Sequence, residues 1–356
     1  VLRLHTDLEM KAKSRLKLPR SYSPYLDVRE TEVAIKLIKD SFQRKLSKAL
    51  NLQRVSAPLM VNAHTGLNDN LNGVEKPVSF TTKDGSQVEI VQSLAKWKRE
   101  ALHRYGFLPG EGIYTDMNAI RPDEVVDNLH SFYVDQWDWE IVITEAERNL
   151  QFLKRVVRKI YRIIRDTERD ICKRFPSLPG PFLPSRIHFI HSEELQKMYP
   201  DLSPKEREDA VVKTFGAVFI IGIGYPLKDG LPHDGRAADY DDWITVTEKG
   251  YHGLNGDIIV YYPLLDQAVE LSSMGIRVNS KSLLEQLDFR GELHKKDLPY
   301  HKRLLSGELP LTMGGGIGQS RLCMIFLRKV HIGEVQASVW PQETMEECLA
   351  AGIPML

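Results

Sequence analysis

Residues 112–140, GIYTDMNAIRPDEVVDNLHSFYVDQWDWE, place an arginine beside acids and then alternate carboxylate and amide with indole. In an extended strand Phe132, Val134, Gln136 and Asp138 point to one side, and Tyr133, Asp135, Trp137 and Trp139 to the other. Both faces therefore carry polar groups, and burying an amide or carboxylate without a partner is unfavourable. The pattern predicts a ligand against this strand or a buried polar network beside two core tryptophans. Arg121, at the edge of the strand-loop-strand unit, carries the planar fork suited to a two-bond grip on phosphate or carboxylate.

Three further segments could do chemistry. In residues 257–270 two apolar runs flank a proline-containing turn, a hairpin signal. A turn centred between Pro263 and Leu264 makes Asp257 and Glu270 cross-strand partners. Opposed carboxylates about 5 Å apart repel by about 3 kcal/mol at an effective dielectric near 20, so such a pair needs a cation. Magnesium suits it, since that ion commonly joins one or two carboxylates to substrate phosphates; an ordinary surface hairpin is the alternative. Gly314-Gly-Gly-Ile-Gly-Gln-Ser-Arg321 runs into a helix start, where free N–H groups favour anions, or else its glycines serve close backbone packing. Arg321 falls at the unfavourable end of that helix dipole, which points to an anionic or aromatic partner. Lys96, Lys98 and Arg99 read as an anion-facing cluster or an exposed basic turn. Asp239, Asp241 and Asp242 could bind a cation or an ammonium group, or cap a helix.

Regular elements must position these groups. Ile35, Ile38, Phe42, Leu46 and Leu50 form one apolar stripe on a helix starting near Arg29. Residues 52–61 read as one strand, held at an edge or interface because Pro58 cannot donate to a ladder. A second helix is predicted over 144–170, with Leu150, Leu153, Val157, Ile160 and Ile164 on one face. Strands follow at 186–191, 217–224, 257–262 and 268–278, and 318–330 reads as a closing helix. His188 and His191 face opposite sides of their strand, which argues against joint ligation. Residues 1–24, with six basic side chains, read as a basic extension or frayed helix, and 25–356 as a single domain.

Composition excludes several classes. Forty-eight basic and forty-eight acidic residues cancel, which argues against a broad nucleic-acid footprint. The longest apolar run, 217–224, falls far short of the roughly 20 residues that span a bilayer. Three scattered cysteines, Cys172, Cys323 and Cys348, favour a reduced, cytoplasmic setting over a disulfide framework.

Eight ordered stretches carry a family resemblance. They are DNLNGVEK from Asp69, SLAKWKR from Ser93, AIRPDE from Ala119, YVDQWDWE from Tyr133, DYDDW from Asp239, LNGD from Leu254, ELSSMGIR from Glu270 and GGGIGQSR from Gly314. Together they resemble the asparagine synthetase A family, the ammonia-using aspartate ligases, over about Tyr25 to Trp340. The chain differs from the bacterial pattern in its longer N-terminus and in its tail after Trp340.

The resemblance implies a fold like the catalytic core of class II aminoacyl-tRNA synthetases: α/β, with a mixed, mainly antiparallel sheet flanked by helices, in a homodimer. It implies that ATP activates aspartate as a β-aspartyl adenylate, which ammonia then converts to asparagine with release of AMP. Arg121 would hold the α-phosphate, Arg321 would stack on adenine or grip the terminal phosphates, and Asp257 with Glu270 would carry Mg2+. The aspartate ammonium would meet Asp69, Gln136 and Asp241, its α-carboxylate Lys98 and Arg277, with Ser272 and Ser273 lining the same pocket. Asp138 would take the proton from ammonium. Glutamine as nitrogen donor stays open. Neither nucleic acid nor membrane is an expected partner. An aspartyl-tRNA synthetase-like paralogue would need a separate RNA-binding domain, and a non-catalytic sensor would be expected to lose an arginine or acid of the ATP site.

Overall fold

The computed structural model describes residues 16–19, 21–69 and 75–356. Its elements, in chain order, are α1 (Val28–Leu50), β1 (Leu52–Arg54), β2 (Met60–Asn62), β3 (Ser79–Thr81), β4 (Gln87–Ile90), α2 (Ala95–Tyr105), β5 (Gly112–Ile120) and β6 (Tyr133–Val142). There follow α3 (Leu150–Arg174), β7 (His188–His191), α4 (Ser192–Met198), α5 (Pro204–Phe215), β8 (Ala217–Ile221), β9 (Asn255–Tyr262) and β10 (Gln267–Ile276). The chain closes with α6 (Ser280–Phe289), α7 (Pro299–Leu305), β11 (Thr312–Gly318), α8 (Gln319–Phe326) and α9 (Gln342–Ala350).

One large sheet runs in the order β1-β5-β6-β11-β10-β9-β8-β7. Its interior pairings are antiparallel, and only the outermost pairs, β1 with β5 and β7 with β8, are parallel. This is the mixed, mainly antiparallel arrangement expected above. A smaller sheet, β2-β4-β3, stands apart. The predicted strand over 52–61 is therefore two: β1 joins the large sheet and β2 the small one, with Pro58 in the connection where it forfeits no ladder bond.

Local signals set the helix starts. Asp27 caps α1 through a reciprocal capping box with Glu30, and each residue of the predicted stripe is buried. The second predicted helix begins later than expected, because Asn149 accepts from Phe152 N–H and caps α3 there, after a 3-10 turn at Glu145–Glu147. Together α1 and α3 cover one face of the sheet, where Phe42 packs on Trp137 with ring centroids 4.5 Å apart. The predicted closing helix ends at Phe326, and α9 follows it.

The basic extension lies mostly outside the described residues. Its described part does not behave as a frayed tail: Leu16, Leu18 and Tyr22 pack against the main core. Lys17 N–H donates to Asn128 Oδ1 at 2.7 Å, and Tyr22 Oη to Glu334 Oε2 at 2.7 Å. Among the described residues no helix is long and apolar enough to cross a membrane, and Cys172, Cys323 and Cys348 are free thiols.

Candidate active site

A cleft of about 360 Å³ opens over the middle of the large sheet. Arg121, just past β5, Gln136 of β6, Gly316 of β11, and Glu270 and Ser273 of β10 line it. Arg321 enters from the first turn of α8, while Arg236 and Tyr240 come from the long connection between β8 and β9. The strand that opened the sequence reading uses both of its faces. Gln136 faces the cleft, while Trp137 and Trp139 enter the core. Asp135 accepts from Ser320 N–H at 3.0 Å, Ser320 Oγ at 2.8 Å and Lys39 Nζ at 3.2 Å.

The glycine-rich run corrects an expectation. Gly314–Gly318 belong to β11 and pair with β6, so this stretch is a strand and not a phosphate loop. A Cβ on Gly314 would lie 1.9 Å from Glu140 Oε2, and one on Gly316 would lie 2.1 Å from Gln136 Oε1. The missing side chains thus make room for polar groups of the neighbouring strand. The N-terminus of α8 is also engaged, since its Ser320 N–H is held by Asp135.

The hairpin register differs as well. Tyr262 pairs with Gln267, so the turn centres between Leu264 and Leu265, and a bulge between Glu270 and Ser272 shifts the frame again. Asp257 consequently faces Ser273 directly, while Glu270 pairs with Ile259. The two acids still share a face, because Ile259 lies two residues beyond Asp257 on β9. Asp257 already has a cation: Arg236 Nη2 donates to its two oxygens at 2.5 and 2.7 Å. Burial, reinforced by the Glu270 charge, nevertheless raises the Asp257 carboxyl to about 7. Arg321 donates to the Glu270 carbonyl at 2.8 Å. Ser273 lines the cleft, but its neighbour Ser272 points to the other side and donates to the Gly316 carbonyl at 2.8 Å. Adjacent strand residues cannot face the same way.

A layer of paired charges stands behind the cleft. Lys98 Nζ lies 3.2 Å from Asp138 Oδ1 and 3.6 Å from Glu140 Oε2, and donates to the Trp139 carbonyl at 3.0 Å. Arg277 donates to Glu140 through Nε at 2.9 Å and Nη2 at 2.8 Å, and binds Asp241 through Nη1. Burial opposes the Glu140 charge, but Arg277 and Lys98 outweigh it and hold the carboxyl below its usual range. For Asp241 burial wins and the carboxyl is raised despite Arg277. Lys98, Arg277, Asp138 and Asp241 are thus gathered together but stand behind the residues lining the cleft. Among the described residues Asp138 Oδ2 is buried without a hydrogen-bond partner. Asp69 is buried on the loop beyond Gly66, and the next five residues of its stretch lie outside the described residues. Its charge helps to raise the Tyr240 hydroxyl, which burial raises most.

The basic stretch is no exposed turn but the first turns of α2, and Lys96, Lys98 and Arg99 are all buried. Arg99 donates to the carbonyls of Pro310 at 2.8 Å and Val278 at 2.7 Å. The three nearby acids also resolve into separate pairs, Asp239 with Lys96 (2.8 Å) and His301 (2.9 Å), Asp241 with Arg277, and Asp242 with Arg148. Burial opposes the Asp239 charge, yet Lys96 and His301 hold its carboxyl well below the usual 3.8. Such a group stabilises the fold fully above its unfolded value, and the contribution is lost as pH falls through the folded value. Asp239→Asn should therefore destabilise the protein by about 3 kcal/mol or more near neutral pH. In denaturant melts the gap from the unsubstituted protein should narrow once the pH drops below 3.8; a gap independent of pH would count against the pairing.

Sequence reasoning missed Arg236, Tyr240 and Gln92, and gave Glu140 no role although it ends the quoted strand. Arg236 sits in a stretch without periodicity, where only the charge balance of the following acids signals a needed cation.

The large sheet and its flanking helices have the fold of the class II aminoacyl-tRNA synthetase catalytic core. Asparaginyl-tRNA synthetase from Pyrococcus horikoshii complexed with asparaginyl-adenylate has a TM-score of 0.65 at 16% identity, over 93% of this chain and 78% of that one. Aspartyl-tRNA synthetase from Entamoeba histolytica gives 0.60 at 16% identity, over 86% and 58%. At such identities the likeness concerns the fold. The sequence is more specific, since the aspartate–ammonia ligase family profile matches residues 29–352. The aspartate–ammonia ligase of Parabacteroides distasonis is 57% identical over 345 residues, covering 96% of this chain and 100% of the relative. That of Clostridium tetani is 54% identical over 351 residues, covering 98% and 100%. The chain belongs to the aspartate–ammonia ligase family.

Proposed function

We propose that this chain makes asparagine from aspartate and ammonia in two steps within one cleft. A β-carboxylate oxygen of aspartate attacks the α-phosphorus of ATP, forming the acyl phosphate bond as pyrophosphate leaves. Ammonia then attacks the acyl carbon and AMP departs. The observation that carries this reading is the meeting, in a member of this ligase family, of Arg121, Arg321 and Gln136 in a single cleft with the Lys98–Asp138 pair buried behind its wall.

Each group has a task. Arg121 neutralises the charge that grows on the α-phosphate in the transition state, and Arg321 holds adenine or the outer phosphates. Asp69, Gln136 and Asp241 offer acceptors to the aspartate ammonium. Lys98 and Arg277 supply positive potential for its α-carboxylate from behind the cleft wall, and Ser273 faces the same space. Ammonium has no free lone pair, so a proton must leave before attack; the unpartnered Asp138 Oδ2 is the acceptor we assign. The residues also fit a magnesium ion. Asp257 and Glu270 lie on one face, and an Asp257 carboxyl raised to about 7 gains from a cation beside it. These two side chains would hold the ion, which when bound neutralises phosphate charge.

The decisive test incubates the protein with aspartate, ATP, magnesium and ammonium and separates the nucleotides. AMP with asparagine is expected; ADP would end the adenylate reading, and a parallel run with glutamine identifies the nitrogen donor. Lys98→Ala should raise the aspartate requirement far more than the ATP requirement. It should also destabilise the fold by about 3 kcal/mol, because Asp138 and Glu140 lose their shared ammonium. Equal effects on both substrates would remove Lys98 from the amino-acid end. The exposed Val33 of α1 and Leu59, Met60 and Phe80 of the small-sheet region support a homodimer. Sedimentation should give twice the chain mass, and a monomer at working concentration would refute it.

A further inference from the structure

Gln92 lies between β4 and α2 and is 1% exposed, yet it lines the cleft. Among the described residues neither its Oε1 nor its Nε2 has a hydrogen-bond partner. The backbone beneath it is firmly held. Gln92 N–H donates to Asn68 Oδ1 at 2.9 Å, and the Asn68 amide nitrogen donates to Glu89 Oε2 at 3.0 Å and the Ile90 carbonyl at 3.1 Å. A carboxamide fixed at its base with both polar atoms idle is poor filler, since an apolar side chain of the same length would avoid the desolvation penalty. Its location instead suits a ligand that completes both bonds.

Complementarity selects the ligand group. A carboxamide offers one acceptor and one donor side by side, and exchanging its oxygen and nitrogen by rotation keeps that property. The β-carboxylate of aspartate is acceptor-only, and would leave the Gln92 oxygen unpaired. Ammonia must keep its lone pair for attack and can present only N–H donors, leaving the Gln92 nitrogen unpaired. Two substrate groups set a donor beside an acceptor, the adenine edge and the ammonium with carboxylate at the α-carbon of the amino acid. Gln92 leads directly into α2, which carries Lys98 at the amino-acid end, and this favours the second. We propose that Gln92 binds the main-chain ammonium and carboxylate of aspartate together, and so fixes which end of the amino acid faces the nucleotide. This assignment rests on the reaction proposed above. It also makes asparagine a ligand of the same amide, because the product keeps both main-chain groups.

The test uses the full chain with Gln92→Met and Gln92→Leu, read by thermal melts with and without asparagine, in the absence of ATP and magnesium, and by steady-state kinetics. Ligand-free variants should melt at or above the unsubstituted protein, since nothing paired is lost, and the stabilisation by asparagine should disappear. The aspartate KM should rise roughly tenfold or more, as for two lost hydrogen bonds to charged groups, while the ATP KM stays nearly constant. A clear fall in melting temperature for both variants would mean that the amide is structural and would overturn the proposal. So would a retained asparagine shift, or equal rises in both KM values. If the unsubstituted protein forms no asparagine, the reaction itself has failed; if it does and the variants match it, only the role of Gln92 has.

Discussion

Arg121→Met should lower kcat/KM for AMP formation by roughly a thousandfold, the loss seen when a preorganised donor to a transition-state charge is removed, while the folded protein melts at an unchanged temperature. The two halves of this expectation have separate causes. Arg121 is anchored through its backbone, whose N–H donates to the Phe132 carbonyl at 2.8 Å, and methionine keeps that bond. Among the described residues its Nε is buried without a hydrogen-bond partner, so the substitution removes no hydrogen bond that this nitrogen makes in the ligand-free fold. An unpaired guanidinium nitrogen facing a cleft is unfavourable until an anion arrives, and the anion of greatest charge development in the proposed reaction is the α-phosphate. Arg121→Lys should recover only part of the rate, because a single ammonium cannot reproduce the two-bond fork. Pre-steady-state AMP release alongside thermal melts separates the outcomes. A loss below tenfold at full stability would place the α-phosphate elsewhere.

Arg321 contrasts with Arg121. It donates to the Glu270 carbonyl, so its removal disturbs the bulged segment that carries Glu270 as well as the cleft. Any rate effect of Arg321→Met will therefore mix lost ligand contact with a displaced carboxylate, which makes Arg121 the cleaner probe of phosphate binding.

How far the sequence foretold this site depends on the range of the interaction involved. The stripe on α1 and the alternation in β6 are local, and their faces could be read from spacing because helix and strand periods fix side-chain direction. Lys98 and Asp138 were recognised through family likeness, but their mutual pairing was not legible, since residues 40 positions apart meet only through the packing of α2 on β6. The glycines at 314–316 misled for a related reason. A glycine run looks the same whether a phosphate or the Glu140 and Gln136 side chains occupy the vacated space. The bulge in β10 leaves no trace in a hydrophobic pattern, yet it decides that Ser273, and not Ser272, stands opposite Asp257 beside Glu270. Gln92 gave no signal at all, because an unpaired amide is visible only when every neighbour has been placed.

That bulge leads to the second large effect, expected for Glu270→Ala. In the ligand-free protein Arg236 grips Asp257, and the negative charge of Glu270 works against that carboxylate, helping to raise it to about 7. Removing Glu270 relieves this repulsion, so Asp257 should shift downward and bind Arg236 more firmly. The cleft then loses one acid and has the other committed to an internal partner, leaving no pair of carboxylates to share a magnesium ion with the phosphates. Lewis-acid stabilisation contributes several kcal/mol to such reactions, so turnover should fall by roughly a thousandfold at about 1.4 kcal/mol per decade. Added magnesium should not restore it, whereas a variant that merely weakened one ligand would recover as the metal concentration rises. Melting temperature should fall only modestly: burial opposes the Glu270 charge, but Arg321, Arg236 and Lys205 hold the carboxyl below its usual range, and that stabilisation is lost while the repulsion on Asp257 is relieved. Unchanged activity would show that Asp257 and Glu270 do not carry the metal, and a collapse in stability would show that Glu270 serves the fold through Arg321 and Arg236.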